Sequence, residues 1–538
     1  MAKTANLYAR IEPDVKEQAE IILDSLGIPA SNAISMFYKQ IILKSKYFDL
    51  NYLLGRRKMN KFINGNLLKM NTEEFLSNIK KAFNDVFSNG NIEKINLMSY
   101  LSENKWSNIK KNGLLLPFLS EKLGGRKDSQ FEIQETLRIA GNYGVPITLR
   151  TGIEGALVLQ PLVEYGNKEQ IEKGLEMIFN GEGGGLAITE PNTSGSAIAK
   201  EMQSYYEYID ENTIHVKADK YWQGNSQSDF LLIAAKERKD GKLSKVISLI
   251  LVPREYITYD VLNSEGLKAV RYAVNHVDTD IPAKYVIKLS ESKANCLREF
   301  QNIFIRSRLQ LVGMTHGIME YIVKNIKKYA KVNIPFVKKE LDEIETTYGV
   351  SKIMYKYVCN NVYPEKSVSD KLMEANIIKS LATEYTYNAA QIAQKLLGAK
   401  GFEVGHPMSN VAIDFRPFTI FEGPNDMLYA EIFDQFSKAT ALEKKEKICV
   451  DKNSTIYERF ISDKRFSNIS VNNLLNKADN LINFLKQHTL NEIDQIKKVF
   501  VGKILARLFL LIQTESDNLI KFLIRDIRKD ILDFEYNS

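Results

Sequence analysis

The chain has 538 residues, of which 44% are hydrophobic and 26% are charged, the composition of a soluble globular protein with several domains. Its 73 basic and 66 acidic residues give a net charge of +7, an imbalance too small and too dispersed to argue by itself for nucleic-acid binding. Three cysteines and five histidines lie far apart in sequence, which disfavours a zinc site or a histidine-based triad and favours free thiols in a reducing compartment.

The sequence has no uncharged apolar run long enough to span a bilayer, and its first ten residues have no apolar core of signal-peptide length. The nearest candidate for a span, Ile504 to Ile512, is interrupted by Arg507. We therefore expect a cytoplasmic protein.

Residues 1–50 are expected to form a unit of their own. Apolar and polar residues alternate in 5–11, which predicts a half-buried strand with Asn6, Tyr8 and Arg10 on its outer face. Two amphipathic helical patterns follow, each with a recognisable start. One strand and two helices cannot close a core alone, so this unit is expected to pair with a second copy.

This segment, from MAKTANLYARIEP to KYFDL, closely resembles the ribbon-helix-helix antitoxins of the RelB/DinJ type. The resemblance implies an antiparallel ribbon that enters the DNA major groove, with Asn6, Tyr8 and Arg10 as the base-reading side chains. Six basic residues are balanced by six acidic ones within the segment, so attraction to phosphate would be local. Two alternatives remain open, a dimerisation module captured by gene fusion and a misjoined reading frame.

Beyond residue 50 the periodicity of apolar residues predicts helices, then a β domain, then helices. Helices are predicted at 72–87, 133–142 and 170–179, the last with Tyr165-Gly166-Asn167 as its turn and cap, and strands at 213–217, 230–235 and 246–252. The predicted domains are a helical domain at 51–184, a middle β domain at 185–295, a helical bundle at 296–440 and a helical extension at 441–538.

The extension is charged and helical in pattern. One buried face is predicted from the spacing of Leu474, Leu475, Ala478, Leu481, Ile482 and Leu485. We expect a solvated helical bundle appended to the core, and the alternative is that its basic stretches rest on a membrane surface.

The loop at 181–196, GEGGGLAITEPNTSGS, is the part of the chain richest in glycine and hydroxyl residues. Glycine lets backbone N–H groups approach a ligand, and hydroxyls donate to carbonyl or phosphate oxygens. The loop has neither a Walker ending nor a clean dinucleotide fingerprint. About thirty residues later Trp222, in KYWQGN, could lay its indole against a flat ring system. A structural loop and a core tryptophan are the alternatives.

The stretch DFRPFTIFEGPND, from Asp414 to Asp426, places Glu422 between an apolar segment and a Gly423-Pro424-Asn425 turn. A carboxylate with little water around it has a raised pKa and is a better general base. Taken alone, the pattern is more typical of a surface turn with a solvated glutamate.

Four motifs stand in a fixed order: LAITEP with GS shortly after, KYWQGN, LLGAKGF and IFEGPN. In order and spacing they resemble the acyl-CoA dehydrogenase family from about residue 60 to 440, and the segment 402–422 fits the family pattern without a gap. The resemblance implies a mainly α fold with a central β domain: an N-terminal helical domain, a β-barrel-like middle domain and a C-terminal four-helix bundle.

The resemblance also implies the chemistry. Glu422 would remove the α-proton of an acyl-CoA or acyl-carrier thioester while the β-hydride passes to N5 of FAD. Backbone donors on the Gly423 side of the turn would stabilise enolate charge, and Arg308 would lie near the CoA-thioester arm. An electron-transfer flavoprotein or another acceptor, and a homodimer or homotetramer, are what the family implies as partners.

By motif position, one group of residues would bind FAD. Gly398, Ala399 and Gly401 match the loop that reaches the neighbouring subunit's FAD. The others are Ala187, Thr189, Ser196, Trp222, Gly224, Pro424 and Asn425.

The chain departs from the family pattern at several of these places. Three residues, Asn192 to Ser194, stand where two are usual; Ala197 replaces Asp, Gly224 replaces Thr, Asn333 and Ile413 replace Arg, and Pro424 replaces Thr. Each change removes a charge-assisted or hydroxyl contact of about 1–3 kcal/mol, so it bears on FAD binding and tetramer packing more than on the fold. The alternative function is a catalytically degenerate scaffold with a DNA-binding or dimerising N-terminal module.

Overall fold

The computed structural model describes residues 16–20, 23, 30, 65–87, 102–126, 129–191, 193, 198–290, 292–330, 333–364, 367–403, 406, 408–466 and 479–537. The chain divides into two units, one of 1–59 with 122–124 and one of 60–121 with 125–538.

Little of the first unit is described. Residues 16–20 are helical and exposed, and Leu23 and Ala30 are also helical. Asn6, Tyr8 and Arg10 lie outside the described residues, so the ribbon-helix-helix module and its DNA contacts stay predictions.

The second unit is mostly helical with a central sheet, which confirms the coarse fold class. Its leading helices are α1 Asn66–Lys69, α2 Thr72–Phe87, α3 Glu103–Lys111, α4 Gln130–Gly141, α5 Val145–Gly152, a π-helix Ile153–Leu159, α6 Gln160–Tyr165 and α7 Lys168–Phe179, with a short 3-10 turn at Leu116–Phe118. A further 3-10 turn, Glu121–Leu123, has its last two residues in the first unit.

Local sequence accounts for where these helices lie. Helix α2 has the predicted bounds because Phe75, Ile79 and Phe83 recur on one face, which is buried. Helix α7 begins at the predicted cap, where Asn167 and Gln170 form a reciprocal capping box.

The sheet has eight strands, β1 Gly184–Ala187, β2 Tyr205–Tyr208, β3 Thr213–Tyr221, β4 Phe230–Lys239, β5 Lys242–Pro253, β6 Thr258–Val261, β7 Ala273–Pro282 and β8 Val286–Lys288. A short helix α8 Ile198–Glu201 and 3-10 turns Arg254–Tyr256, Lys268–Val270 and Ala283–Tyr285 lie between them. The strand order is β6-β7-β3-β2-β4-β5-β8, and β1 pairs in parallel with β4. Burial alternates along β3, whereas β4 is buried along most of its length because it lies in the middle of the sheet.

Long helices follow the sheet. They are α9 Lys293–Tyr329, α10 Pro335–Asn361, α11 Leu372–Leu396, α12 Val411–Phe415 and α13 Asn425–Phe436, with 3-10 turns at Gly398–Phe402 and Arg416–Thr419. Helix α11 packs against α9, α10 and α13, so its centre is enclosed on several sides.

The extension consists of α14 Ala441–Lys445, α15 Ile456–Ser462, α16 Asp479–Gln487, a 3-10 turn Leu490–Glu492, α17 Gln495–Leu511 and α18 Asp517–Tyr536. It shares one hydrophobic core with the helical bundle, because α17 is buried from Ile504 to Leu511 and packs against α13. The prediction of a solvated appendage is therefore wrong for this helix. Of the predicted apolar face, Leu481 and Leu485 are buried, whereas 474–478 lie outside the described residues.

Within the described part of the chain, no helix is both long enough and apolar enough to cross a membrane. The described residues also hold no group of three or more His, Cys, Asp or Glu side chains placed to bind a metal ion.

Candidate active site

Glu422 lies in a tight turn between a cluster of aromatic rings and the start of α13. The rings of Phe415 and Phe418 stack at 4.3 Å between centroids, and Phe418 and Phe421 follow at 4.8 Å. The backbone then takes positive φ angles, 56° at Glu422 and 102° at Gly423. Because this conformation costs a non-glycine residue about 1–2 kcal/mol, neighbouring contacts must hold Glu422 in it.

The two oxygens of the Glu422 carboxyl group have different surroundings. Oε1 accepts a short hydrogen bond from Ser307 Oγ. Oε2 is buried and has no hydrogen-bond partner among the described residues. Burial raises the pKa of Glu422, and the Ser307 bond with the charges of Arg308 and Lys379 oppose that rise. The carboxyl group thus has one anchored oxygen and one oxygen available for a proton.

Arg308, on α9, holds the backbone of the turn. Its Nε donates to the Glu422 carbonyl oxygen at 3.0 Å, and Nη1 donates to Asn376 Oδ1 at 2.6 Å. Asn376 in turn donates to Glu431 Oε2 at 2.8 Å. Burial lowers the pKa of Arg308, and Glu422 and Glu431 partly offset this effect. The guanidinium group is therefore buried and already engaged with the turn.

Lys379, on α11, holds the next part of the turn. Its Nζ donates to the Gly423 carbonyl oxygen at 2.8 Å and to Asn425 Oδ1 at 2.9 Å. Asn425 Nδ2 donates to the Ser380 carbonyl oxygen at 3.2 Å and to Thr383 Oγ1 at 3.1 Å. The side chain of Asn425 is thus used to fix the start of α13 to α11.

Sequence reasoning missed Ser307 and Lys379. Lys379 carried a usable signal, because it is the only charged residue in the run Ala375 to Ala382 on a helix that the pattern predicts to be buried. Ser307 carried a weaker signal, since a single hydroxyl between Arg306 and Arg308 is common on an exposed helix face.

A second group of predicted residues lies at the ends of β1 and β3. The Ala187 side chain is in the core, and the Thr189 carbonyl oxygen accepts from Tyr221 N at 3.1 Å. Trp222 has a φ of 59° and is 48% exposed, and its indole lies 5.7 Å from the Tyr272 ring. A half-exposed indole backed by a second ring fits a bound flat ring system, so this end of the sheet is compatible with a flavin.

Close packing around Gly224 explains why this position does not carry the threonine of the family pattern. A Cβ atom at Gly224 would lie 2.3 Å from Ile153 Cδ1 and 3.1 Å from Val270 Cγ1. The next residue, Asn225, donates its N–H to the Val270 carbonyl oxygen at 2.9 Å. With Ile153 in place, any side chain at Gly224 would have to displace it.

The carboxylate of the TEP motif has a structural role. Glu190 is buried, forms an ion pair with Lys220 at 2.7 Å, and accepts from the N–H groups of Gln203 and Ser204. Burial lowers the pKa of Lys220 to about 8, although Glu190 opposes this effect. The ion pair ties the loop that follows β1 to β3.

A chain of contacts connects the two groups. Asp414, on α12, accepts a hydrogen bond from Leu267 N at 2.6 Å. Leu267 precedes the 3-10 turn that carries Val270, which lies against Gly224. The helix just before the Glu422 turn is thus fixed to the loop beside the Trp222 strand.

Among the described residues, the structure gives no hydrogen bond that joins Gly398, Ala399 or Gly401 to either group. Gly398 has a φ of 57° and open space where a side chain would be, Ala399 is exposed, and Gly401 is buried against the Gln394 carbonyl oxygen. Pro424 is exposed beside the Glu422 turn. Ser196 lies outside the described residues.

Residues 297–436 match the family model described as acyl-CoA dehydrogenase, C-terminal domain. The very long-chain specific acyl-CoA dehydrogenase, mitochondrial, of Rattus norvegicus is 22% identical over 347 residues, which cover 61% of this chain and 52% of the rat protein. The chain thus spans about half the length of the curated relatives it matches.

Two solved structures show the fold. An acyl-CoA dehydrogenase from Bacillus anthracis complexed with FAD has a TM-score of 0.68 at 16% identity, covering 86% of this chain and 88% of the other. An acyl-CoA dehydrogenase from Geobacillus kaustophilus has a TM-score of 0.58 at 21% identity, covering 66% and 96%. The chain therefore has the fold of these acyl-CoA dehydrogenases, and its residues 297–436 match the C-terminal domain of that family.

Proposed function

We propose that this protein is a flavin-dependent dehydrogenase that introduces an α,β double bond into an acyl-CoA or acyl-carrier thioester, with Glu422 as the general base. The observation that carries the proposal is the state of the Glu422 carboxyl group, with Oε1 bonded to Ser307 and Oε2 buried without a partner among the described residues. An ionised carboxylate that is poorly hydrated and anchored through one oxygen can accept a carbon-bound proton through the other.

In this proposal Glu422 Oε2 receives the α-proton of the thioester. Ser307 stabilises the ionised carboxylate before transfer through its bond to Oε1. Arg308 and Lys379 occupy the carbonyl oxygens of Glu422 and Gly423, so the N–H side of this turn remains for the developing enolate oxygen. Burial of the carboxyl group excludes competing water from the base.

The proposed cofactor is FAD, held by Thr189, Trp222 and Gly224, with Ala187 and Ser196 from the loop and its flanking strand. Trp222 supports this placement because its indole is half-exposed at the end of β3. When bound, the flavin would supply the acceptor for the hydride that leaves the acyl chain. A relative of this fold, from Bacillus anthracis, is described in complex with FAD.

The family resemblance predicts that Arg308 lies near the CoA-thioester arm. The geometry favours an indirect role instead, because the Arg308 guanidinium group is buried and donates to the Glu422 carbonyl oxygen and to Asn376. We propose that Arg308 acts on the substrate indirectly, by holding the turn that carries Glu422 and Gly423.

Purified protein, reconstituted with FAD if needed, should show flavin absorbance that acyl-CoA bleaches under anaerobic conditions. Glu422→Gln should keep its flavin and reduce it about 10²–10⁴-fold more slowly, the size of a lost general base. Glu340→Gln is the control, since it removes a carboxylate of the same bundle that pairs with Lys395 on the surface.

Colourless protein that cannot be reconstituted with FAD would contradict the proposal. So would a Glu422→Gln variant that reduces its flavin as fast as the wild type. The first result would favour the alternative of a scaffold without dehydrogenase activity, and the second would show that Glu422 is not the base.

A further inference from the structure

Lys379 lies in an unusual place for a charged side chain. It is fully buried at the centre of α11, among residues such as Ile377, Ile378 and Leu381 that are fully buried too. A lysine ammonium is strongly hydrated in water, and its burial is unfavourable unless specific partners replace that hydration. The identity of those partners therefore indicates what the residue does.

The partners of Lys379 all belong to the turn that carries Glu422. Two of the three Nζ protons are accounted for by the Gly423 carbonyl oxygen at 2.8 Å and Asn425 Oδ1 at 2.9 Å. No carboxylate lies within ion-pair distance of Nζ among the described residues, unlike buried Lys110 with Glu154 and Lys220 with Glu190. The ammonium is thus held by the turn itself.

Arg308 and Lys379 act on consecutive carbonyl groups of one strained turn. Arg308 reaches the Glu422 carbonyl oxygen from α9, and Lys379 reaches the Gly423 carbonyl oxygen from α11. Both residues of the turn have positive φ. Two cationic donors from separate helices fix the direction of both peptide groups, and this orientation determines where the Glu422 side chain points.

Lys379 also places positive charge near the base. Among charged groups, Glu422 and Arg308 face it, and Glu431 lies beyond Arg308 through Asn376. Burial lowers the pKa of Lys379 to about 7, and the Glu422 charge opposes this effect. Conversely, Lys379 favours the ionised form of Glu422, the form that can accept a proton.

The geometry points to Lys379 as a positioning residue for the general base: it fixes the Glu422–Asn425 turn to α11 and stabilises the ionised carboxylate with its charge. This role rests on the proposed function of Glu422. Because Lys379 is fully buried beneath the turn, it does not touch the substrate and acts through Glu422.

Three substitutions separate the two parts of this role. Lys379→Met removes both the hydrogen bonds and the charge, Lys379→Gln keeps a donor without the charge, and Lys379→Arg keeps both in a different shape. Lys236→Met is the matched control, because Lys236 is also buried and donates to two backbone carbonyl oxygens, those of Lys200 and Met202, but in the sheet.

The first readout is the pH dependence of kcat/KM in the FAD-loaded protein. Lys379→Met should lower kcat about 10–100-fold with a smaller change in KM, and should move the acid limb upward by about one pH unit. Lys379→Gln should show the same shift of the limb with a smaller loss of kcat, and Lys379→Arg should restore much of both. Lys236→Met should leave the limb where it is.

The second readout does not need turnover. The carboxyl stretching band of protonated Glu422, identified in the infrared by its loss in Glu422→Gln, should persist to higher pH in Lys379→Met and Lys379→Gln than in the wild type.

If the Lys379 variants show this band shift but the wild-type protein never reduces flavin, the proposed dehydrogenase function fails while the role of Lys379 stands. If Lys379→Met does not fold, Lys379→Gln carries the same test. An unchanged band and an unchanged acid limb in a folded Lys379 variant would overturn the inference.

Discussion

Ser307 Oγ donates a hydrogen bond to Glu422 Oε1 across 115 residues of sequence, and this bond determines which carboxyl oxygen remains without a partner among the described residues. The hydroxyl is on α9, whereas the carboxylate is in the turn before α13. The two helices must therefore keep their packing for the base to keep its environment.

Ser307→Ala should raise the pKa of Glu422. The Ser307 bond favours the ionised form, so its loss adds to the rise that burial already causes. A hydrogen bond to a charged group contributes about 1.5–3 kcal/mol, which corresponds to a shift of about 1–2 pH units in the acid limb of kcat/KM. Ser351→Ala, which removes a buried hydroxyl bonded to His316, should not move the limb. Superimposable pH profiles for wild type and Ser307→Ala would show that the bond does not tune the base.

Gly224→Ala should destabilise the protein because its new methyl group would meet Ile153 Cδ1 at 2.3 Å. Overpacking of this kind costs about 1–3 kcal/mol. Ile153→Val removes the clashing methyl group. The double variant should therefore lose less unfolding free energy than the two single variants lose together. Urea unfolding of all four proteins gives the coupling free energy, and strictly additive effects would argue against the clash. Flavin content, measured in parallel, shows whether the same contact limits cofactor binding.

Asp414→Asn should change how stability depends on pH. Burial raises the pKa of Asp414 to about 7, against the opposing bond from Leu267 N. A carboxyl group with a raised folded-state pKa holds its proton in the folded protein while the unfolded chain, with an aspartate pKa of about 4, has released it. This part of the wild-type stability therefore falls as the pH rises from about 4 to about 7.

The asparagine variant keeps an acceptor for Leu267 N but cannot ionise. Relative to the wild type it should gain on the order of 1–4 kcal/mol of unfolding free energy between pH 4 and pH 7. Denaturant titrations at several pH values test this, and a difference between the two proteins that stays constant with pH would refute it.

Arg459→Met should detach the start of the extension. Arg459 is buried, donates to both carboxylate oxygens of Glu443 at 2.8 and 3.1 Å, and donates to the Phe436 carbonyl oxygen at 2.8 Å. Removing one partner of a buried ion pair costs about 3–5 kcal/mol. Lys464→Met, at an exposed pair with Glu446, should cost less than about 1 kcal/mol. Equal losses of unfolding free energy in Arg459→Met and Lys464→Met would show that the buried pair does not hold the start of the extension.

The same pair predicts acid sensitivity. Burial alone would raise the pKa of Glu443, but the bonds from Arg459 and Thr440 lower it to about 2. A depressed carboxyl pKa contributes stability that is present above the unfolded value of about 4 and is lost as the pH falls towards 2. In Arg459→Met the pKa of Glu443 is lowered less, so the loss of stability between about pH 4 and pH 2 should be smaller than in the wild type.

The fold was largely predictable because periodicity reports local burial. Thr72–Phe87 was predicted to the residue, and the strand at 230–235 lies within observed β4. The burial of the extension was not predictable in this way, because α17 is buried at every position from Ile504 to Leu511 and not on one face only. Its Arg507 interrupts an apolar run in sequence, yet in the structure it is buried beside Glu384 and Asp530.

The site was predictable only in part. The turn around Glu422 could be recognised from a contiguous motif, since all its members are neighbours in sequence. The contacts of Ser307 and Lys379 with this turn could not be predicted, because they join separate helices and no local pattern states which helix faces which. The role of Ile153 could not be predicted for the same reason. It excludes a side chain at Gly224 only because the π-helix packs against the end of the strand.

The most direct test of the account is exchange of the substrate α-proton with solvent deuterium, because this step needs the base but not net turnover. FAD-loaded wild type incubated with an acyl-CoA in deuterated buffer should incorporate deuterium at the α-carbon. Glu422→Gln, with its flavin still bound, should exchange about 10²–10⁴-fold more slowly. Exchange at the wild-type rate in Glu422→Gln would contradict the assignment of Glu422 as the base.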